Sequence, residues 1–429
     1  MNIRRLMALS LITATIFAAN FAPANAEPTG EANASATSGK AVGSEKVRLT
    51  WPIVPGAVQY QVVILKNQWD APVNILLTRN RIFTNGVEID ISEYADQKPD
   101  LFWKVCPLDF EGRPVGKGFS AVRPLMADGK FNTVSPLPTT EFDKMDEMPL
   151  YPVYSWIPFL NADSYRVQVY KKEGKGEKLL KEVTATGFNY PDETSYTSPG
   201  DYCWRIRAVG KNGAPLGEWS EKIWFAVKPT AKVAALGDSI THGGGAMSVP
   251  SGYVLYNWET YSPVPVKNLG HSGDTIAMLL ERFDRDVLPF KPQILVVMGG
   301  VNDYRETTTT WSSVRHLTLI RDKCKKNNIV PVFVTAPPIS ASKIALRGMQ
   351  AVPYGDWRVR QHNINEWVKQ QKYWLDICPA LTDERGELKS VLTTDGLHPD
   401  NEAKAYIGEN IGNYILSTFP HLFRDTANS

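Results

Sequence analysis

Residues 233–241 read Val-Ala-Ala-Leu-Gly-Asp-Ser-Ile-Thr, a short apolar run that ends in a glycine and polar residues. Such a run is typical of a parallel strand covered on both faces. The pattern predicts a strand over 233–236, with Ser239 just past its end. In open α/β sheets, ligands bind beyond the carboxyl ends of the strands, so this serine stands where chemistry takes place. A serine in this position is also a common helix cap, and the segment alone leaves both roles open.

The same texture continues toward the C-terminus, where apolar runs alternate with helical stretches. Further strands are predicted at 294–298, 329–335 and 373–377. Helices are predicted at 275–287, 311–326, 357–371 and 401–417. This alternation indicates an α/β domain with a doubly wound parallel sheet, which we place at residues 232–422.

Near the end of this domain, Asp395 and His398 stand three residues apart. One turn of chain can aim the aspartate at Nδ1 of the ring, which leaves Nε2 free to act as a base. Of the six histidines, only His398 has an aspartate three residues before it. Two glycine-rich segments, 268–274 and 299–303, each stand where a strand should end. Their backbone N–H groups and the Asn302 amide could hold an oxyanion, although turns also use glycine and asparagine.

The four segments occur in the order G-D-S-I-T, G-x-S-G-D, G-x-N-D and D-x-x-H-P, and together they resemble the conserved blocks of the GDSL/SGNH hydrolase family. The resemblance spans about residues 232–420 and implies a flavodoxin-like fold and a carboxylic ester hydrolase. It implies Ser239 as nucleophile, His398 as base and Asp395 as the residue that orients it. The oxyanion hole would use the Ser239 N–H, the Gly273 N–H and the Asn302 amide. Gly270 is the alternative for the second backbone donor. We favour Gly273 because it precedes the start of a helix.

The first half of the chain contains a repeat. Trp51, Ala57 and Tyr60 recur 105 residues later, and a Trp-Gly-Pro-Gly set beginning at Trp103 recurs 101 residues later. Each copy alternates apolar and polar residues between turns, which is typical of short antiparallel strands. We therefore predict two tandem all-β sandwiches, at 46–127 and 147–228. With a tryptophan and a tyrosine on successive early strands, they resemble fibronectin type III-like domains.

The N-terminus and the composition limit where the protein acts. Residues 1–26 have a basic start, an apolar stretch and an Ala-Asn-Ala exit, which predicts a signal peptide cut after Ala26 and a secreted or periplasmic enzyme. Residues 27–45 read as a flexible linker. The near balance of 47 basic and 45 acidic residues gives no excess of positive charge for binding nucleic acid. No later apolar stretch of the sequence is long enough to span a membrane.

No cofactor is expected, because a serine mechanism needs none. His242 and His271 lie near the site without a cluster of metal ligands, so we expect no metal either. The run of three glycines at 243–245 lacks the spacing of a nucleotide-binding loop. The four cysteines are Cys106, Cys203, Cys324 and Cys378. A Cys324–Cys378 disulfide and buried free thiols are equally open.

The substrate is the least determined part. Insertions at 241–262 and 340–356 should line the pocket, and the aromatic residues of the first could stack on sugar or fill the core; they are Tyr253, Tyr256, Trp258 and Tyr261. An exported enzyme domain that follows two sandwiches has the domain order of many bacterial proteins that act on polysaccharides. By this analogy alone, we predict deacetylation of a glycan. The alternatives are a short-chain acyl esterase or lysophospholipase, and a non-catalytic glycan- or protein-binding protein. The sandwiches could bind a ligand or act as spacers, and the oligomeric state stays open.

Overall fold

Two kinds of structure follow one another along the chain, β-sheet alone and then mixed α/β. The computed structural model describes residues 45–145, 147–243, 252–306, 308–349 and 353–423. The predicted signal peptide and nearly all of the predicted linker lie outside these residues, as do Gly244 and Gly245.

The first sandwich, residues 46–131, consists of two antiparallel sheets. Their strand orders are β4-β1-β7 and β3-β2-β5-β6. The inner faces share one apolar core to which both sheets contribute, and Trp103 is fully buried in it. The elements are β1 (Lys46–Thr50), β2 (Gln59–Leu65), β3 (Ile75–Ile82), β4 (Gly86–Asp90), β5 (Phe102–Leu108), β6 (Arg123–Pro124), α1 (Leu125–Asp128) and β7 (Lys130–Phe131).

The second sandwich, residues 137–227, repeats this plan with longer strands. One sheet has the order β12-β9-β8, and the other has the order β11-β10-β13-β14 with β15 also paired to β13. Its core is continuous with the core of the C-terminal domain, whereas the core of the first sandwich is a separate cluster. The strands are β8 (Leu137–Pro138), β9 (Val153–Ile157), β10 (Ser164–Glu173), β11 (Gly176–Ala185), β12 (Asn189–Pro191), β13 (Gly200–Val209), β14 (Pro215–Leu216) and β15 (Ile223–Val227).

The repeated residues make the same contacts in both sandwiches. The Tyr60 hydroxyl accepts a hydrogen bond from the Val54 N–H at 3.0 Å, and the Tyr165 hydroxyl accepts one from the Phe159 N–H at 2.8 Å. In the first sandwich the Tyr60 ring lies 5.3 Å from the Trp51 ring. The equivalent ring pair in the second sandwich is 5.1 Å apart. A repeat read from single letters thus corresponds to a repeated tertiary contact.

The C-terminal domain contains a five-stranded sheet in the order β17-β16-β18-β19-β20, parallel throughout. Its central strands β16 and β18 are buried along their whole length because every side chain in them is apolar or small. The strands are β16 (Val233–Gly237), β17 (Lys267–Asn268), β18 (Ile294–Met298), β19 (Val330–Val334) and β20 (Trp374–Leu375). The helices are α2 (Ser239–His242), α3 (Ile276–Asp286), α4 (Val301–Arg305), α5 (Thr310–Lys326), α6 (Ala341–Leu346), α7 (Trp357–Lys369), α8 (Cys378–Leu381) and α9 (Asn401–Thr418).

The predicted fold class is confirmed, with β-sheets first and a parallel α/β domain behind. The four long helices begin and end within two residues of the predicted bounds. All four cysteines are free thiols, and Cys324 is fully buried. The structure therefore has the free-thiol alternative and no Cys324–Cys378 bond.

Candidate active site

Ser239 stands at the first position of α2, directly after β16. Asp238 caps this short helix, since its Oδ1 accepts a hydrogen bond from the Ile240 N–H at 2.9 Å. The capping role that the sequence left open for the serine thus falls to Asp238. Ser239 is half-buried and its hydroxyl is directed to a side chain from the far end of the domain.

Three sequence-predicted residues come together at this point. The Ser239 Oγ lies 3.0 Å from the His398 Nε2, across 159 residues of chain. On the other side of the ring, the His398 Nδ1 lies 2.8 Å from the Asp395 Oδ2. Since a carboxylate only accepts hydrogen bonds, Nδ1 carries a proton and Nε2 of the neutral ring can accept one from the serine. The arrangement can therefore remove the hydroxyl proton of Ser239.

Asp395 is held as an anion by its own loop. Burial raises the pKa of the carboxyl, but the His398 ring and the backbone N–H groups of His398 and Leu397 outweigh that effect and keep the pKa below its ordinary value. Both N–H groups donate to the Asp395 Oδ1 at 2.8 Å. The second oxygen is thereby left to the imidazole, which fixes the orientation of the ring.

The two candidate oxyanion glycines differ in what their N–H groups do. The Gly270 N–H donates to the Asn268 Oδ1 at 2.8 Å, and Gly270 is buried. Gly273 is exposed, and its N–H donates to none of the described residues. Its φ of +87° suits the third position of the His271–Asp274 turn, which the Asp274 N–H closes onto the His271 carbonyl at 3.4 Å. Only Gly273 thus has a backbone donor to spare.

Asn302 presents its amide in a fixed orientation. The Asn302 Oδ1 accepts from the Arg305 Nη2 at 3.0 Å, so the NH₂ group points the other way. There one of its hydrogens goes to the Asp274 carbonyl at 2.9 Å, and the second hydrogen has no acceptor among the described residues. The Ser239 N–H has no acceptor among them either. The sequence motifs did not reveal this contact of Arg305 with Asn302.

The aromatic residues of the first insertion are mostly in the core. Tyr253, Tyr256 and Trp258 are buried, and Trp258 is fully enclosed. Tyr253 and Tyr256 pack in a small cluster with Ile53 of the first sandwich. Of the two roles that the sequence left open for them, core packing is the one that these three residues have.

Two further histidines lie close to the site, His271 within the 268–274 loop and His242 beside it. The His271 Nδ1 is 2.8 Å from the Asp274 Oδ1, and its Nε2 is 2.6 Å from the Glu193 Oε2 of the second sandwich. Burial lowers the pKa of His271, but its hydrogen bonds to the two carboxylates outweigh this effect and raise the pKa to about 9. Burial lowers the pKa of His242 to about 4. One histidine is therefore charged at neutral pH, and its neighbour is neutral.

Among the residues that the structure describes, no group of three or more His, Cys, Asp or Glu side chains could hold a metal ion. Over the same residues, no helix is long and apolar enough to cross a bilayer.

The family match lies within the C-terminal domain. Residues 235–405 match the GDSL-like Lipase/Acylhydrolase family. A protein assigned to the lipolytic G-D-S-L family in Desulfitobacterium hafniense DCB-2 is 23% identical and covers 42% of this chain and 98% of its own, with a TM-score of 0.35. A lipase/acylhydrolase from Enterococcus faecalis is 22% identical and covers 43% of this chain and 95% of its own, with a TM-score of 0.36. An acetyl xylan esterase is 21% identical and covers 44% of this chain and 100% of its own, with a TM-score of 0.33. No curated protein matches the chain.

Proposed function

We propose that the chain is a carboxylic ester hydrolase in which Ser239, His398 and Asp395 form the catalytic triad; the match of residues 235–405 to the GDSL-like Lipase/Acylhydrolase family supports this activity. The observation that carries the proposal is the unbroken chain of contacts from the Ser239 hydroxyl through the His398 ring to the Asp395 carboxylate, at 3.0 and 2.8 Å. Contacts of this length are the requirement for an activated serine nucleophile.

The proposed reaction consists of two acyl transfers. In the first, His398 takes the hydroxyl proton while the Ser239 Oγ attacks the ester carbonyl. The tetrahedral intermediate collapses when His398 gives the proton to the departing alcohol, which leaves an acyl-enzyme. Water then attacks in the same way, its proton passes through His398 to the Ser239 Oγ, and the carboxylic acid is released.

The developing oxyanion would bind the N–H groups of Ser239 and Gly273 together with the Asn302 amide. Each of these donors has at least one hydrogen with no acceptor among the described residues. Preorganised donors of this kind stabilise the transition state because they need no rearrangement as charge develops.

For the substrate we propose an acetylated glycan outside the cytoplasm. The predicted signal peptide and two sandwiches ahead of the hydrolase domain support this choice through architecture. Two exposed apolar side chains favour a second candidate, an ester with a longer acyl chain. Leu346 ends α6 and Val391 precedes the Asp395 loop, and they are 75% and 83% exposed. The Lys343 Nζ joins these elements by donating to the carbonyls of Ser390 and Thr393.

The test compares hydrolysis of 4-nitrophenyl acetate, butyrate and octanoate with acetate release from acetylated xylan. The full chain is compared with Ser239→Ala, whose hydroxyl loss leaves the fold intact. Acetate release that depends on Ser239 supports the glycan esterase, and preference for octanoate supports the second candidate. Equal measurable activity of the two proteins would contradict the triad, and no activity of either protein on any ester would leave a binding role. Sequencing of the exported protein, with Glu27 expected first, tests secretion.

A further inference from the structure

The second sandwich touches the hydrolase domain at the loop that carries the proposed oxyanion glycine. The Leu150 N–H donates to the Asn268 carbonyl at 2.9 Å, where the 268–274 loop begins. The Tyr151 ring lies 4.5 Å from the His271 ring. Leu150 and Tyr151 belong to the apolar core that the second sandwich shares with the C-terminal domain, so the sandwich is fixed to the domain.

Two side chains of the turn are tied to the second sandwich. His271 reaches the Glu193 carboxylate directly, at 2.6 Å. Ser272 is reached through His242, whose Nδ1 is 2.8 Å from the Ser272 Oγ and whose Nε2 is 2.6 Å from the Tyr151 carbonyl. Because a carbonyl only accepts, His242 carries its proton on Nε2, and its Nδ1 accepts from the serine. Both ties converge on the two residues that precede Gly273.

The His271 tie needs a charged ring. Both of its nitrogens face carboxylate oxygens, which only accept, so both must carry protons. The same side chain closes the turn from Nδ1 to Asp274 and anchors it from Nε2 to Glu193. The His271 backbone N–H also donates to the Gly237 carbonyl at 3.0 Å, two residues before the nucleophile. A shift of the ring is therefore transmitted to the peptide that presents the Gly273 N–H.

We propose that Glu193 of the second sandwich is a positioning residue of the active site, which holds the Gly273 N–H in place through His271. The second sandwich is then a working part of the catalytic centre, and a spacer role does not account for its contacts. This inference rests on the proposed function, because it assigns a purpose to the oxyanion donor.

The first arm of the test is kinetic. Glu193→Gln keeps the size of the side chain and removes its charge, and the side chain is 55% exposed, so folding is preserved. We expect kcat for 4-nitrophenyl acetate to fall by between about threefold and tenfold, with KM little changed. The matched control is Glu182→Gln in the same sandwich, because Glu182 pairs with Arg166 at 3.2 Å in its own sheet. A Glu193→Gln enzyme with the kcat of this control would overturn the proposal.

The second arm does not depend on activity. Proton NMR follows the titration of His271 in the full chain, where four groups face the ring: Asp274, Glu193, Tyr151 and His242. Beyond them, Arg282 pairs with Asp274, and Lys181 pairs with Asp192 beside Glu193. We expect the midpoint to fall by about one pH unit or more in Glu193→Gln and to stay unchanged in Glu182→Gln. An unchanged midpoint in Glu193→Gln would overturn the tie itself.

The two arms separate this inference from the proposed function. If Ser239→Ala abolishes hydrolysis while Glu193→Gln has full kcat, the triad stands and the positioning role of Glu193 is overturned. If the wild-type chain hydrolyses no ester and His271 still responds to Glu193, the proposed function has failed, and the catalytic role of Glu193 is overturned with it.

Discussion

Two loops of the hydrolase domain each pair a histidine with an aspartate three residues away. In both pairs the Nδ1–Oδ distance is 2.8 Å. They differ at Nε2, where His398 faces the Ser239 hydroxyl and His271 faces the Glu193 carboxylate. A hydroxyl can donate to an unprotonated Nε2, whereas a carboxylate at Nε2 requires a proton on that nitrogen as well as on Nδ1.

The partner at Nε2 therefore decides what each pair can do. A ring that is already doubly protonated cannot accept a proton from a nucleophile, so the His271 pair can only hold structure. The His398 pair keeps an acceptor nitrogen toward a half-buried serine and can act as a base. A histidine–aspartate spacing in the sequence is compatible with either outcome.

Replacing each histidine by glutamine gives the sharpest contrast between the pairs. We expect His398→Gln to lower kcat by about 10⁵-fold or more, because no other group can take the serine proton. His271→Gln should lower kcat by about tenfold at most, since a neutral amide can keep part of the tie. Steady-state kinetics with 4-nitrophenyl acetate measures both. Similar losses in the two variants would contradict the division of roles.

The aspartates should separate activity from stability. Asp395→Asn is expected to lower kcat by about 10⁴-fold, because an amide can favour the wrong tautomer of His398. Asp274→Asn instead breaks the buried pair with Arg282, where the Arg282 Nε lies 2.5 Å from the Asp274 Oδ2. We expect it to cost about 3 kcal/mol of unfolding free energy. Urea unfolding checks the second effect, and a stable but inactive Asp274→Asn would count against it.

Asn302 joins the 268–274 loop to the proposed oxyanion site, because its amide donates to the Asp274 carbonyl. We expect Asn302→Ala to lower kcat by between about 10²-fold and 10³-fold with a small change in KM. The loss should be the same for acetate and butyrate esters, since the oxyanion is common to both. A loss confined to KM would indicate a substrate-binding role for Asn302.

Replacing each of the two loop glycines by alanine should lower the unfolding free energy for a different reason. A Cβ on Gly270 would lie 2.2 Å from the His242 backbone nitrogen, so Gly270→Ala must displace α2 and should cost about 2 kcal/mol or more. A Cβ on Gly273 would meet nothing within 4 Å, and Gly273→Ala should cost about 1 kcal/mol through its positive φ alone. Thermal unfolding ranks the two, and a Gly273→Ala variant that is the less stable one would contradict this reading.

The fold could be predicted from the sequence where a buried strand consists of an uninterrupted run of apolar residues. The runs at β16 and β18 are apolar throughout, and four ordered motifs mark the site. The strand β17 is only two residues long, and its Lys267 is buried because its ammonium donates to the Met148 carbonyl at 2.7 Å. An apolar pattern cannot find such a strand.

The contact between His271 and Glu193 could not be predicted from the sequence, for a different reason. Glu193 stands 78 residues before His271, in a different kind of domain, and no spacing rule connects them. Sequence patterns raise only a metal-ligand role for His271, because its aspartate stands three residues after the histidine and not three residues before it. Contacts between separately folded regions depend on how their surfaces dock, which local patterns do not encode.

The smallest expected effect is a pH dependence that only the second pair should have. The folded-state pKa of His271 is raised to about 9 from an ordinary value of 6.5, so its stabilising contribution is complete below about pH 6.5 and disappears as the pH rises through about 9. Wild type should therefore lose more unfolding free energy than His271→Gln between pH 7 and pH 10, by about 1 kcal/mol. Urea unfolding at both pH values measures the difference, and titration of lysine and tyrosine cancels because both proteins carry the same ones. Parallel losses in the two proteins would mean that the His271 ring is not held between two carboxylates, and the contrast between the two pairs would then rest on Ser239 alone.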